Sequence, residues 1–290
     1  MAEASAHGVC PRCGGEGYRV VKAKGRPAGA RRCECQESCK RCRGSGYVLV
    51  PAGASAVAQP CACRHLDERI ALFNAAVLPA TVARARFETY RAGHPDQVAA
   101  KAVAEEFAKK FRSDREAHGL LFYGPPGTGK THLLASIARY LTLEKGVSCR
   151  YVEFMLLLSD IKAAFGSNRG YLDVLGPLAR TPVLLIDELG KERGTDWERS
   201  MLDELISRRY NAGLTTLFAT NYFDEPRRAP EREGAAVNTR SREFAREAES
   251  MTLRERIGDR VYSRLREMCG IHRVDGADRR QIGIVDDDWD

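Results

Sequence analysis

Gly124-Pro125-Pro126-Gly127-Thr128-Gly129-Lys130-Thr131 has the residue types and spacing of a loop that wraps a polyphosphate. Glycines let successive backbone N–H groups turn inward around the anion, Lys130 brings a cation to the β- and γ-phosphates, and Thr131 offers Mg²⁺ a hydroxyl. Further along, Asp187-Glu188 ends the apolar run Pro182 to Ile186. Asp187 suits a Mg²⁺ ion held through its water shell, and Glu188 suits a group that orients and polarises an attacking water. Together the two stretches are the parts of a nucleoside-triphosphatase.

A second chemistry is written in cysteine. Eight of the ten cysteines fall in two repeated units, Cys10, Cys13, Cys33, Cys35 and then Cys39, Cys42, Cys61, Cys63. The repeat extends to the neighbours, Cys13-Gly-Gly-Glu-Gly-Tyr18 against Cys42-Arg-Gly-Ser-Gly-Tyr47. Close Cys pairs place two thiolates on one metal edge, and two such edges close a tetrahedron. The spacing predicts two Zn²⁺ per chain, one in each unit. A disulfide framework is the competing reading, and a cytosolic nucleotide-binding protein argues against it. His65, just past a complete set, reads as a bystander.

These residues need elements to hold them. Gly119 to Tyr123 reads as a strand before the phosphate loop, and Leu133, Leu134, Ile137, Ala138 and Leu141 keep helical period after it. Ser148 to Val152 reads as a second strand with Cys149 as a small buried residue, and Glu153 to Phe165 as a helix turning Met155, Leu156, Leu158 and Ile161 inward. The run Val183 to Ile186 fits a strand buried on both faces that delivers Asp187 and Glu188 to the carboxyl edge of a parallel sheet. Trp197, Met201, Leu202, Leu205 and Ile206 mark another helix, and Leu214 to Thr220 a strand ending at Asn221.

The flanks are less regular. Val103, Phe107 and Phe111 predict an amphipathic helix leading into the phosphate-loop strand. Gly166 to Gly170 reads as a polar loop, and Phe223 to Ser250 as a mobile connection. Thr252-x-x-Glu255 is a capping box opening one helix, with Leu253, Ile257, Val261, Leu265 and Met268 on one stripe and Arg256, Arg260 and Arg264 on the next. Residues 240 to 266 hold eight Arg and no Lys, a choice that suits planar recognition of phosphate. Ile271 to Val274 reads as a last strand before an acidic tail.

At 290 residues and 43% hydrophobic content, the chain can bury an α/β core and carry a smaller module. The expected division is residues 1–64, a zinc module; 65–115, a helical linker; 116–280, the nucleotide-binding domain; and 281–290, the acidic tail. The net charge of +7 resides in the first 64 residues, with eleven Lys/Arg against four Glu. Zinc on eight thiolates offsets part of it, so any basic footprint there is modest. The start lacks an apolar leader region and no run approaches the roughly 18 apolar residues of a membrane span, which leads us to expect a cytoplasmic protein with no membrane partner.

From about Arg64 to Arg280 the chain resembles the AAA+ ATPases of the DnaC/DnaI helicase-loader and IstB transposition-helper group. The resembling stretches are the phosphate loop through His132, Leu185-Ile-Asp-Glu-Leu-Gly190 with Thr195-Asp196-Trp197, Ala219-Thr-Asn221, and Asp259-Arg-Val-Tyr-Ser-Arg-Leu265. The resemblance implies a parallel sheet flanked by helices without a C-terminal lid, ATP and Mg²⁺ as cofactors, and hydrolysis stimulated by DNA or a partner. By it, Gly124 to His132 bind nucleotide, Asn221 acts as sensor 1, and Arg264 is the finger that completes a neighbour's site, with Arg260 as the other candidate. Asp187-Glu188 stands where the group more often has Asp-Asp, which favours hydrolysis. The implied partners are single-stranded DNA, a replicative helicase or a transposase, and further copies of the chain in an ATP-dependent oligomer.

Overall fold

The computed structural model describes residues 10–22, 24–36, 42–43, 45–52, 55–113, 118–165, 170–191, 195–223 and 252–278. Cys39, the loop at Gly166 to Arg169, the whole connection after Phe223 with the arginines before Met251, and the acidic tail lie outside them.

Five parallel strands form the central sheet: β5 (Gly119–Tyr123), β6 (Cys149–Glu153), β7 (Val183–Asp187), β8 (Thr215–Thr220) and β9 (Cys269–Arg273), in the order β6-β7-β8-β5-β9. All five residues of β7 are buried, as expected where helices cover both faces of a parallel sheet. On one face lie α1 (Ala62–Ala76), α2 (Pro95–Lys110) and α3 (Lys130–Arg139), the last running into a π-helical turn at Tyr140–Glu144. On the other lie α4 (Phe154–Phe165), α5 (Tyr171–Arg180), α6 (Asp196–Asn211), α7 (Leu253–Ile257) and α8 (Asp259–Met268). Before the sheet come two antiparallel hairpins, β1 (Tyr18–Val21) with β2 (Gly29–Arg32), and β3 (Tyr47–Ala52) with β4 (Ser55–Pro60).

Local chemistry explains the helix starts. Thr195 and Glu198 close a reciprocal capping box on α6, and Thr252 and Glu255 do the same on α7. Pro95 opens α2, where a missing N–H costs nothing, and His94 accepts from the Asp96 amide.

Two expectations are corrected. α4 buries Phe154, Leu157, Leu158 and Ile161, while Leu156 is 60% exposed. Five consecutive apolar residues at its start left the phase of the helix open, and the sheet selects the other one. The helix expected from Val103, Phe107 and Phe111 is α2: Phe111 is buried and Val103 and Phe107 pack against the core, beside fully buried Ala100, Ala104 and Ala108. The single helix expected after Thr252 is two, broken at Gly258, whose φ of 83° favours glycine. α1 begins at Ala62, so Cys63 lies on its first turn.

Candidate nucleotide and metal sites

The carboxyl ends of β7, β8 and β5 stand side by side, and each presents a candidate residue group. β5 runs into the phosphate loop, β8 into Asn221, and β7 ends at Asp187 followed by Glu188. Backbone bonds tie the three ends together: Gly124 N–H donates to Thr220 O, and Leu189 N–H to Ala219 O.

The loop itself is gripped from outside. Tyr90 donates its hydroxyl to Thr128 O over 3.1 Å, Gln97 Nε2 to the same oxygen over 3.2 Å, and Thr128 Oγ1 to Pro125 O. The Tyr90 ring lies so close to Gly129, whose φ is 99°, that any side chain there would collide with it. Lys130 is buried and donates from Nζ to Gly124 O at 2.8 Å and Pro125 O at 2.7 Å, which keeps its ammonium at the mouth of the loop. His132 presents Nε2 to the Arg86 carbonyl at 2.9 Å; a carbonyl only accepts, so this nitrogen carries the proton.

Asp187 is buried and fully oriented: Oδ1 accepts the Glu188 amide and Oδ2 the Tyr151 hydroxyl, both at 2.8 Å. Glu188 adopts φ 55°, a strained conformation for a residue with a side chain, and its carboxylate meets Lys191 Nζ at 2.6 Å. Glu153 ends β6 in register with Asp187. Burial first, then a hydrogen bond to Glu188, raises its pKa to about 7. Tyr151, Glu153 and Lys191 were not picked out from sequence; the first two occupy alternate positions at a strand end beside β7, a signal visible only once the pairing is known.

Residues 55–227, more than half of the chain, match the family model for IstB-like ATP binding proteins. The chain belongs to this family. Similar proteins include the replicative helicase loader DnaC of Buchnera aphidicola (strain Bp), 30% identical over 137 residues, covering 47% of this chain and 54% of the relative. DnaC of Escherichia coli K12 is 30% identical over 136 residues, with the same coverage. The chain spans about half the length of the curated relatives it matches. A crystal structure of the DnaC helicase loader aligns with a TM-score of 0.54 at 26% identity, over 67% of this chain and 99% of the other. That of DnaI aligns at 0.52 and 22%, over 70% and 94%, and shares the fold. The AAA+ architecture expected from the resemblance is therefore the architecture found.

In this IstB-like ATP-binding protein, Arg264 sits on α8, remote in sequence from the phosphate loop. Its Nη1 donates to Asp203 Oδ1 at 2.5 Å and Ser207 Oγ at 2.7 Å on α6, leaving the side chain 20% exposed. Arg260 reaches the same Asp203 at 3.5 Å and is 74% exposed. Asp203 thus organises both candidate fingers.

The cysteines converge as well. The sulfurs of Cys10, Cys13, Cys33 and Cys35 all lie within 4.8 Å of one another, with Cys10 to Cys33 at 3.9 Å and Cys13 to Cys35 at 3.5 Å. Zinc–sulfur bonds of about 2.3 Å give a tetrahedral edge of about 3.8 Å, so this donor set fits Zn²⁺. The N–H groups of Arg12 and then Cys13 draw the pKa of the Cys10 thiol down to about 6, while hydrogen bonds to Cys33 and Cys13 push that of Cys35 up to about 12. Cys42, Cys61 and Cys63 form a second cluster, with Cys42 and Cys63 sulfurs 3.4 Å apart. His65 pairs with Glu68 and is outside both clusters.

Among the described residues, no helix is long and apolar enough to cross a membrane.

Proposed function

We propose that this chain binds and hydrolyses ATP and acts on DNA as a loader of a replicative helicase. The observation that carries the reading is the alignment of the phosphate loop, Asn221 and Asp187-Glu188 along one sheet edge, in a chain 30% identical to DnaC loaders over 137 residues. In that reading, Lys130 and the loop N–H groups hold the phosphates, and Thr131 and Asp187 hold Mg²⁺. When bound, the ion would offset negative charge on the phosphates. Glu188 orients the water, Asn221 senses the γ-phosphate, and Arg264 of one subunit completes the site of the next. Zinc in the two four-cysteine units, with Cys39 as the fourth ligand of the second, shapes a module for docking a partner protein.

A surface feature supports the nucleic-acid part. Phe165 is 57% exposed and stacks on Tyr171, with centroids 5.4 Å apart and planes at 15°; Trp197 lies edge-on to Phe165 with Lys162 over its ring at 4.9 Å. Exposed aromatic faces beside a cation suit unpaired bases, each stack contributing about 1–3 kcal/mol.

The test is ATP turnover with and without single-stranded DNA. Wild type should be stimulated, Lys130→Ala should lose nucleotide binding, Glu188→Gln should bind and not turn over, and Phe165→Ala should lose the stimulation while keeping basal turnover. Equal ATP affinity in wild type and Lys130→Ala would sink the assignment of the loop. The family match to IstB-like proteins favours a second reading, a transposition helper. Co-purification with the replicative helicase or with a transposase of the same genome decides between them.

A further inference from the structure

The two cysteine units are repeats in sequence but not in their relation to the ATP-binding fold, and the difference centres on one acid. Glu16 lies in the turn after Cys13, where its own N–H donates to Cys13 O. Its carboxylate takes a two-point contact from Arg86, Nη1 at 2.5 Å and Nη2 at 2.6 Å, and a third approach from Arg139 Nη2 at 3.6 Å. Arg139 ends α3, the helix that starts at Lys130. Arg86 begins the segment that grips the phosphate loop: its carbonyl accepts from His132 Nε2 and from the Tyr90 N–H, and Tyr90 in turn holds Thr128 and faces Gly129. One carboxylate of the metal module therefore ties together both structures that frame the loop.

Electrostatics make the tie strong. Burial disfavours the Arg86 cation, yet the bonds and charge of Glu16 outweigh it and hold its pKa above the ordinary value. Arg139 is only 7% exposed; burial and the neighbouring Arg86 charge pull its pKa down. Removing Glu16 would leave two adjacent arginines, one of them nearly buried, without the carboxylate that lies between them. Beside them Tyr18 is buried, donating to Glu144 Oε1 at 3.1 Å with Arg139 over its ring. The second unit has Ser45 in place of the acid, and its hydroxyl is used within its own turn, on Cys42 O and Tyr47 O. Tyr47, the counterpart of Tyr18, is 45% exposed.

We infer that the first cysteine unit is a working part of the ATP site: Glu16, through Arg86 and Arg139, is a positioning residue that sets the phosphate loop for nucleotide, a role the second unit does not share. The inference rests on the phosphate loop binding ATP and is independent of any DNA or helicase role.

The experiment is equilibrium binding of a fluorescent ATP analogue to the full, zinc-loaded chain, with thermal unfolding recorded on each variant. Glu16→Gln keeps the shape and loses the charge; its affinity should fall roughly tenfold while it still unfolds cooperatively. Leu49→Ser, at a 74% exposed position on β3 of the other unit, should bind as wild type does. If Glu16→Gln unfolds, Arg86→Lys, which keeps a cation but not the two-point contact, takes its place with the same expected fall. A folded variant with lower melting temperature and affinity within twofold of wild type would make Glu16 merely structural and overturn the inference. Weakened binding in Leu49→Ser equal to that in Glu16→Gln would overturn the division between the units. Wild type that binds no nucleotide at all would instead defeat the underlying ATP reading.

Discussion

The Tyr151 hydroxyl donates to Asp187 Oδ2 over 2.8 Å across neighbouring strands β6 and β7, in a buried position. Burial first, then the Asp187 charge, raises the phenol's pKa far above normal, so it stays a donor at every working pH. With the Glu188 amide on Oδ1, the bond leaves the carboxylate a single orientation. Tyr151→Phe removes the donor and keeps the ring. It should lower folding stability by about 1.5–3 kcal/mol in urea titration, the range for a hydrogen bond to a charged group, and raise the Mg²⁺ concentration needed for half-maximal turnover. An unchanged Mg²⁺ requirement would show that Asp187 does not depend on the tyrosine.

Arg209 is fully buried on α6 and donates to Thr216 Oγ1 at 2.9 Å, to Leu178 O and Thr181 O at 2.7 Å each, and to Thr215 O at 2.5 Å. It fastens α6 and the end of α5 to the sheet although burial draws its pKa down to about 9. Arg209→Met fills much of the volume but strands three backbone carbonyls. We expect a loss of about 3–5 kcal/mol in chemical denaturation, large enough to compromise expression. A loss below about 1 kcal/mol would mean that water replaces the guanidinium.

For the metal module the expected content is two Zn²⁺ per chain by elemental analysis of protein purified without added metal. Cys13→Ser and Cys39→Ser should each leave one, the second substitution testing a ligand that sequence alone supplies. Thiol titration showing the eight cysteines oxidised in pairs would refute both sites.

What could be read from sequence followed the range of the interaction. The phosphate loop and Asp187-Glu188 are local patterns whose residues carry their own reason, and the order of strands around them follows from apolar runs bounded by turns. The phase of α4 was hidden because Phe154 to Leu158 are all apolar, so no period could be chosen without knowing where the sheet lies. Arg209 looks like any surface arginine on a charged helix until Thr215 and Thr216 fold beneath it. Glu16 and Arg86 meet across seventy residues, and nothing in either neighbourhood announces the other.

Arg264 is held against Asp203 and Ser207 within its own subunit. A finger offered to a neighbour stabilises charge on the transferring phosphoryl group, an effect on the order of 10³ to 10⁵ in rate. Arg264→Ala should therefore bind ATP as wild type does and hydrolyse it on the order of 10³-fold more slowly. The substitution also removes an ion pair between α6 and α8, so a slower enzyme could be a loosened one. Asp203→Asn removes the same pair and keeps the guanidinium; if catalysis is the cause, it should hydrolyse ATP within a fewfold of wild type at equal loss of melting temperature. Mixing Arg264→Ala with Lys130→Ala protein should restore part of the turnover, because some interfaces would join an intact loop to an intact finger. If no recovery occurs at any ratio in oligomers shown to exchange subunits, Arg264 acts within its own subunit, and the 74% exposed Arg260 becomes the residue to substitute in the same mixing experiment.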